Sequence, residues 1–324
     1  MRIYRSLDQA RAEFAPSVLT IGNFDGVHAA HRELMRNTLR LARECDGKPS
    51  VLTFDPHPTA VVAPERAPLL LSSPAERCAL MERMGIEQVL ILPFGESIST
   101  LSPAGFFDEI VAGALGARAV AVGENFLFGR DQSGNVDTLR MLGERAGVRV
   151  EIVPAVRRRG VVVSSSQIRR LLAAGDVAMA ARLLERPFAV SGRVVAGAGR
   201  GRRETVPTLN LEIPSLALEH AAVPANGVYI TWASEPDSKR GWRAVTNVGT
   251  RPTFDGQHLT IETYLLDALT GESPENLKVE FLRRIRGEQR FESPEALKSQ
   301  ILKDVARAQT FFRRAAGVGG NRSY

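Results

Sequence analysis

In its first half the chain alternates short apolar segments with longer amphipathic ones, and this alternation restricts the fold more than any other feature. Residues 17–23, 50–54, 88–93, 118–123 and 148–153 are short and rich in Val, Ile or Leu, as strands buried on both faces must be. Helical patterns lie between them at 29–44, 73–84, 103–115 and 137–146. Two helix starts are marked: Ser73-Pro74-Ala75-Glu76 reads as a capping box with proline at the first helical position, and Ser102-Pro103 as an N-cap followed by proline. Strands alternating with helices imply a parallel sheet covered on both faces, whose ligands bind at the carboxyl ends of the strands.

After Ser164 the pattern changes. A helical pair, 166–174 and 177–185, is broken at Gly175-Asp176 and closed by Pro187. Six strand-like segments follow at 188–196, 205–213, 227–233, 243–248, 259–266 and 278–285, separated by turn residues such as Pro224-Ala225-Asn226-Gly227 and Thr270-Gly271. With no long helix between them they predict an antiparallel barrel or sandwich. Ser293-Pro294 then opens a last helix running to about Arg314. A length of 324 residues favours two domains, and the break near Pro187 divides them into 1–186 and 187–324.

Two cysteines, Cys45 and Cys78, have neither metal nor redox spacing and point to a reducing compartment. No apolar run approaches membrane-spanning length and the first residues lack a signal-peptide core, so the expectation is a cytoplasmic protein without a membrane partner. A net charge of +6 permits nucleic-acid binding but is explained equally well by polyanionic nucleotides. The arginine clusters carry no aromatic interleaving, so nucleic acid is not the expected partner.

The chemistry centres on Gly22-Asn23-Phe24-Asp25-Gly26-Val27-His28-Ala29-Ala30-His31. It stands where the strand 17–23 meets the helix 29–44. A helix start offers unpaired N–H groups and a positive dipole end, both suited to phosphate. His28 and His31, at i and i+3, can act on one ligand, and Gly22 and Gly26 allow a tight turn close to it. There is no Walker A pattern. The ten residues resemble the G-x-F-D-G-V-H-x-G-H signature of the prokaryotic bifunctional riboflavin kinase/FAD synthetase family, with Ala30 where Gly is usual. The added methyl is expected to crowd an adenine packed on that backbone.

Three further elements resemble the same family in order. Phe54-Asp55-Pro56-His57-Pro58 follows the second strand, its prolines predicting an extended loop with His57 at the top of the sheet. Gly123-Glu124-Asn125-Phe126-Leu127-Phe128-Gly129 follows the fourth, with Phe126 and Phe128 readable as core. Ser164-Ser165-Ser166-Gln167-Ile168-Arg169 opens a helix, with Ser166 for the usual Thr. The resemblance implies a Rossmann-like nucleotidylyltransferase domain. Its ATP site would use Gly22, Phe24, Asp25, Gly26, His28, His31, His57, Asn125, Ser164, Ser165 and Arg169, with His28 and His31 catalytic.

In the second half, Gly197-Ala198-Gly199-Arg200-Gly201-Arg202 is a glycine-rich link able to wrap phosphate or to be a plain hairpin loop. Pro207-Thr208-Leu209-Asn210 resembles the P-T-A-N motif of the family's riboflavin kinase module. It departs by Leu209 for Ala and by Glu204-Thr205-Val206 for the usual L-G-F. The resemblance implies a six-stranded barrel with a terminal helix. There Gly197, Gly199, Gly201, Arg202, Thr208 and Asn210 would hold ATP, and Thr208 and Asn210 Mg²⁺. Glu262, in Ile261-Glu262-Thr263-Tyr264-Leu265-Leu266-Asp267, would be the catalytic base. Alternation alone makes Glu262 an ordinary outer-face residue; the resemblance assigns it the chemistry.

The implied activity is phosphorylation of riboflavin to FMN by ATP, then adenylyl transfer from a second ATP giving FAD and pyrophosphate. Mg²⁺ would arrive with ATP, and ATP, riboflavin, FMN and FAD would be the small-molecule partners. Two alternatives stay open on the residues alone: retention of only one activity, or a nucleotide- or RNA-binding regulator on the same fold. The sequence sets no oligomeric state.

Overall fold

The computed structural model describes residues 1–14, 16–195, 208–213, 220–236, 238–253 and 256–318. The chain divides into two compact units, Met1–Ser165 and Ser166–Tyr324.

The first unit carries a six-stranded, all-parallel sheet: β1 (Arg2–Tyr4), β2 (Ser17–Ile21), β3 (Lys48–Asp55), β4 (Gln88–Pro93), β5 (Ala117–Gly123) and β6 (Arg149–Val153), in the order β1-β4-β3-β2-β5-β6. Five strands fall where the apolar segments predict. β1 was not expected: three residues give no periodicity, and it joins the edge by pairing Ile3 with Val89. A helix α1 (Leu7–Glu13), capped by Ser6, also escapes the pattern.

Strand β2 is buried along its whole length because it is covered on both sides. On one face Leu19, Leu52, Phe54, Leu90 and Leu92 meet Phe106, Phe107 and Ile110. On the other, Val51, Val89 and Ile91 meet Met35 of α2 (Ala29–Glu44) and Cys78 and Met81 of α4 (Pro74–Glu82), a short α3 (Pro58–Val62) lying between these helices in sequence. The capping box at Ser73 forms as expected, both reciprocal bonds being present. Ser102 caps its helix too, but Pro103–Gly105 leads straight into a π-helical stretch, Phe106–Ala114. The next helix, α5 (Val136–Ala146), ends on Gly147 at φ +69.

Chain order reverses between β2 and β5: β3 and β4 build one way from β2, and β5 and β6 the other. The crevice outside the carboxyl ends of these two strands is therefore the place for a ligand.

The second unit begins one residue inside α6 (Ser165–Ala173) and continues with α7 (Val177–Leu184). A closed antiparallel barrel follows: β7 (Phe188–Val195), β8 (Thr208–Glu212), β9 (Gly227–Ser234), β10 (Gly241–Thr253), β11 (Gly256–Leu265) and β12 (Asn276–Gly287), in the order β8-β11-β10-β9-β12-β7. All six expected strands form, several longer than the pattern shows. The compact units part ahead of residue 186 because the helical pair clusters with the barrel: Ala225 N–H donates to Leu172 O, and Arg284 Nη1 to Ala174 O at 3.1 Å.

Inside the barrel Tyr229 and Phe281 meet edge to face, and Thr231, Thr246 and Thr263 link hydroxyls across three strands at 2.8 and 3.1 Å, all fully buried. Helix α8 (Pro294–Val318) packs Ala308 and Phe312 on the outer face, against Val228, Ile230 and Val245.

Candidate active sites

In the first unit the turn after β2 is conformationally costly. Phe24 and Val27 lie at φ 49 and 40, the left-handed region that β-branched Val27 resists, and Gly26 lies at φ 82. Such strain, about 1–3 kcal/mol per residue, persists only where surrounding groups over-determine it. Both side chains are fully buried in the α2/α4 core. The Gly26 N–H donates to Ser72 Oγ at 2.8 Å. The Asn23 carbonyl accepts from Arg77 Nη1 at 2.7 Å and from Thr53 Oγ1 at 3.1 Å. Asp25, expected among the ATP ligands, is 1% exposed, and its carboxylate accepts from the amides of Leu71 and Ser72 at 2.9–3.1 Å. That geometry makes it a clasp between two loops. Phe24 likewise serves the core.

The histidines are placed by the helix start. His28 is the N-cap of α2, its Nδ1 accepting from the His31 N–H at 3.3 Å. Its ring stacks on that of His31, 3.6 Å between centroids and 16° between planes. Because Nδ1 accepts, the proton of neutral His28 sits on Nε2. His57 repeats the device. Where an extended loop was expected, it caps α3, accepting from Thr59 N–H at 3.2 Å, and its Nε2 lies 3.0 Å from the Asn23 amide. The Asn23 atom at this contact is the amide nitrogen, Nδ2, and the His57 tautomer sets which partner donates.

His31 is held differently. Its Nδ1 is buried with no hydrogen-bond partner among the described residues. Burial, then the neighbouring His28 and Arg77, hold its pKa well below the usual 6.5, so it is neutral at pH 7.

Gly123 and Asn125 follow β5, on the other side of the strand-order reversal. A Cβ built on Gly123 meets no protein atom within 4 Å and its φ is not positive, so the fold itself does not demand glycine there. Phe126 and Phe128 stack at 5.5 Å on the core, as expected. Ser165 Oγ donates to Asp25 O at 2.9 Å, which holds the end of the first unit to the same turn, and Ser164 precedes it. Arg169, on the same helix as Ser165, clusters with the second unit.

On the barrel, Leu209 and Leu211 point in while Thr208 and Asn210 share the outer face, as alternation predicts. Strand register then does what sequence cannot: Asn210 pairs with Glu262 across β8–β11, and Glu262 with Asn247 across β11–β10. Directly opposed residues project from the same side of a sheet, so amide, carboxylate and amide form one row. Glu288 adjoins the row: its Oε2 accepts from Asn226 Nδ2 at 3.2 Å, and a Cβ on Gly249 would lie 3.2 Å from Glu288 Oε1 and 3.5 Å from Asn247 Nδ2. Gly197, Gly199, Gly201 and Arg202 lie outside the described residues.

Asn23, Arg77 and Asn247 were not among the expected site residues. Asn23 stands inside the ten-residue motif and Asn247 in the expected strand 243–248, neither with an assigned role. Arg77 had a signal: it is four residues before Met81 on the buried face of α4, where a charge is unusual.

A parallel sheet with imidazoles and a helix start at its reversal point, and a barrel carrying a Thr/Asn/Glu row, define a two-part nucleotide-using transferase. Residues 10–167 match the FAD synthetase family and 184–312 the riboflavin kinase family. The bifunctional riboflavin kinase/FMN adenylyltransferase of Pseudomonas fluorescens is 38% identical over 95% of this chain and 97% of its own. That of Escherichia coli K12 is 34% identical over 96% and 97%. A solved structure titled a macrolide-efflux protein from Streptococcus pneumoniae, 29% identical, matches at a TM-score of 0.85 over 95% of this chain and 98% of that one. Among the described residues here, no helix is long and apolar enough to cross a membrane. The chain belongs to the bifunctional riboflavin kinase/FMN adenylyltransferase family. It phosphorylates riboflavin to FMN and adenylylates FMN to FAD.

Proposed function

We propose that the two reactions are divided between the two rows of residues, adenylyl transfer at the β2/β5 edge and riboflavin phosphorylation at the Asn210–Glu262–Asn247 row. The observation that carries the division is the register pairing of Glu262 with Asn210, which turns an outer-face glutamate into the neighbour of the motif's amide.

In adenylyl transfer a phosphate oxygen of FMN attacks the α-phosphorus of ATP and pyrophosphate leaves. No proton need be moved in the attack, so the work is positioning and charge neutralisation. The N–H groups at the start of α2 and the Nε2–H of neutral His28 supply donors already oriented, and His31 stacks against His28 to fix it. His57, Asn125, Ser164 and Ser165 complete the nucleotide site, and Gly22 and Gly123 leave room beside it.

In the kinase reaction the ribityl hydroxyl attacks the γ-phosphorus of ATP and loses its proton to Glu262, while the bond to the bridging oxygen breaks and ADP leaves. Thr208 and Asn210 offer hard oxygen donors of the kind Mg²⁺ takes, and among the described residues no His/Cys/Asp/Glu cluster forms a dedicated metal cage. This fits an ion brought in on ATP, which when bound neutralises phosphate charge. Cys45 and Cys78 are both free, in keeping with residence in the cytoplasm.

The test is chromatography of riboflavin incubated with Mg-ATP. The intact chain should yield FMN and then FAD. His28→Ala should stop at FMN, and Glu262→Gln should make FAD only when FMN is supplied. Equal loss of both activities in either variant would defeat the division.

A further inference from the structure

Arg77 is 4% exposed, yet among the described residues no carboxylate pairs with it and its Nε is buried without a partner. A guanidinium taken out of water without a counter-ion is unfavourable unless something recurrent compensates it. Its Nη1 donates to the Asn23 carbonyl at 2.7 Å, reinforced by Thr53 Oγ1, which accepts the same Nη1 at 3.5 Å. Asn23 faces His57 through its side chain, and its backbone enters the strained turn that ends on His28. One buried cation thus reaches the three imidazoles of the adenylyl-transfer edge from beneath.

We infer that Arg77 is the positioning residue of adenylyl transfer: a fixed positive charge under the β2–α2 turn, compensated when nucleotide phosphate binds above it. It need not touch the nucleotide. It holds the Asn23 carbonyl, and with it the Asn23–His57 contact, and it repels a proton from His31. The inference rests on the assignment of adenylyl transfer to this edge.

The charged and titratable groups that act on His31 are few. His28 stacks on it from the start of α2, Arg77 acts from α4, and Phe24 gives only an aromatic edge at 5.1 Å. The Asp25 carboxylate is turned to Leu71 and Ser72, and Glu33, on α2 itself, pairs with Arg36. Removing the Arg77 charge therefore moves the His31 titration upward, whereas a merely structural substitution would leave it in place.

The experiment compares full-length wild type, Arg77→Lys and Arg77→Met. FMN and FAD formation are followed in the same preparations, and the His31 ring proton is titrated by NMR. A misplacement of about 1 Å costs on the order of 100-fold, so Arg77→Met should lose about that much FMN-to-FAD turnover with riboflavin phosphorylation intact. Its His31 should titrate closer to 6.5. Arg77→Lys should restore the low titration and most of the turnover. Should Arg77→Met not fold, the wild type and Arg77→Lys still decide: a wild-type His31 titrating at its ordinary value overturns the inference. So does a folded Arg77→Met with unchanged turnover and titration. If His28→Ala spares FAD formation, the assignment of the edge itself fails, whatever Arg77 does.

Discussion

Arg286 and Asp304 form a buried pair, 2.8 Å from Nε to Oδ2, with side chains 13% and 3% exposed. Gln300 Nε2 donates to the second carboxylate oxygen at 2.9 Å. The pair ties α8 to the end of β12, next to Glu288. Arg286→Met keeps most of the stem but leaves a buried carboxylate with one neutral donor, and breaking such a pair costs about 3–5 kcal/mol. Asp304→Leu should cost less, because the freed guanidinium can reach water from the rim. The double variant should recover most of the loss, since a buried pair and well-packed apolar groups are often equivalent. The assay is urea unfolding by tryptophan fluorescence. Both tryptophans, Trp232 and Trp242, lie in the barrel, so the signal reads this unit alone. With a denaturant slope of about 2 kcal/mol/M, Arg286→Met should lower the midpoint by about 2 M. A drop below about 0.5 M, or two single effects that simply add in the double variant, refutes the reasoning.

Three further outcomes are expected. Glu262→Gln should slow riboflavin phosphorylation by about 10²–10⁴-fold, the usual worth of a general base, while FAD formation from added FMN is unchanged. Asp25→Ala strips the acceptor from the Leu71 and Ser72 amides, at about 1–3 kcal/mol for each group left unsatisfied; calorimetry should show the sheet unit melting earlier and the barrel unmoved. His31 is depressed in the folded chain, so below about pH 6.5 the unfolded chain binds a proton that the folded one refuses. Stability of the first unit should therefore fall as pH drops below that value, and His31→Gln should flatten the slope.

Most of the architecture was legible because it rests on local patterns: short apolar runs at β2 to β6, helices of period 3.6, and barrel strands of period 2 with inward Leu209, Leu211 and Ile261. The misses lack periodicity. Arg2–Tyr4 is too short to show one, and the helix after Pro58 is a single turn whose cap, His57, looks like a loop residue between prolines. The sites divide the same way. His28 and His31 could be placed from their spacing on a helix start. The inward use of Asp25 could not, because its partners Leu71 and Ser72 are distant in sequence and their register with the turn depends on tertiary packing. The row Asn210–Glu262–Asn247 needs strand pairing, which no single segment encodes.

His28 and His57 each close a helix with an imidazole nitrogen where serine or aspartate is the common choice. A serine cap is indifferent to pH across the physiological range; an imidazole cap is not. A proton on Nδ1 removes the acceptor and places a donor against the helix's own N–H groups, so charging the ring and fraying the first turn are one event. Losing a cap costs about 0.5–2 kcal/mol. A phosphate arriving at the start of α2 offers those N–H groups a replacement acceptor just when it would draw a proton to the ring. Helix order and imidazole protonation are in this way tied into a single exchange at the start of α2, which a serine cap would leave uncoupled.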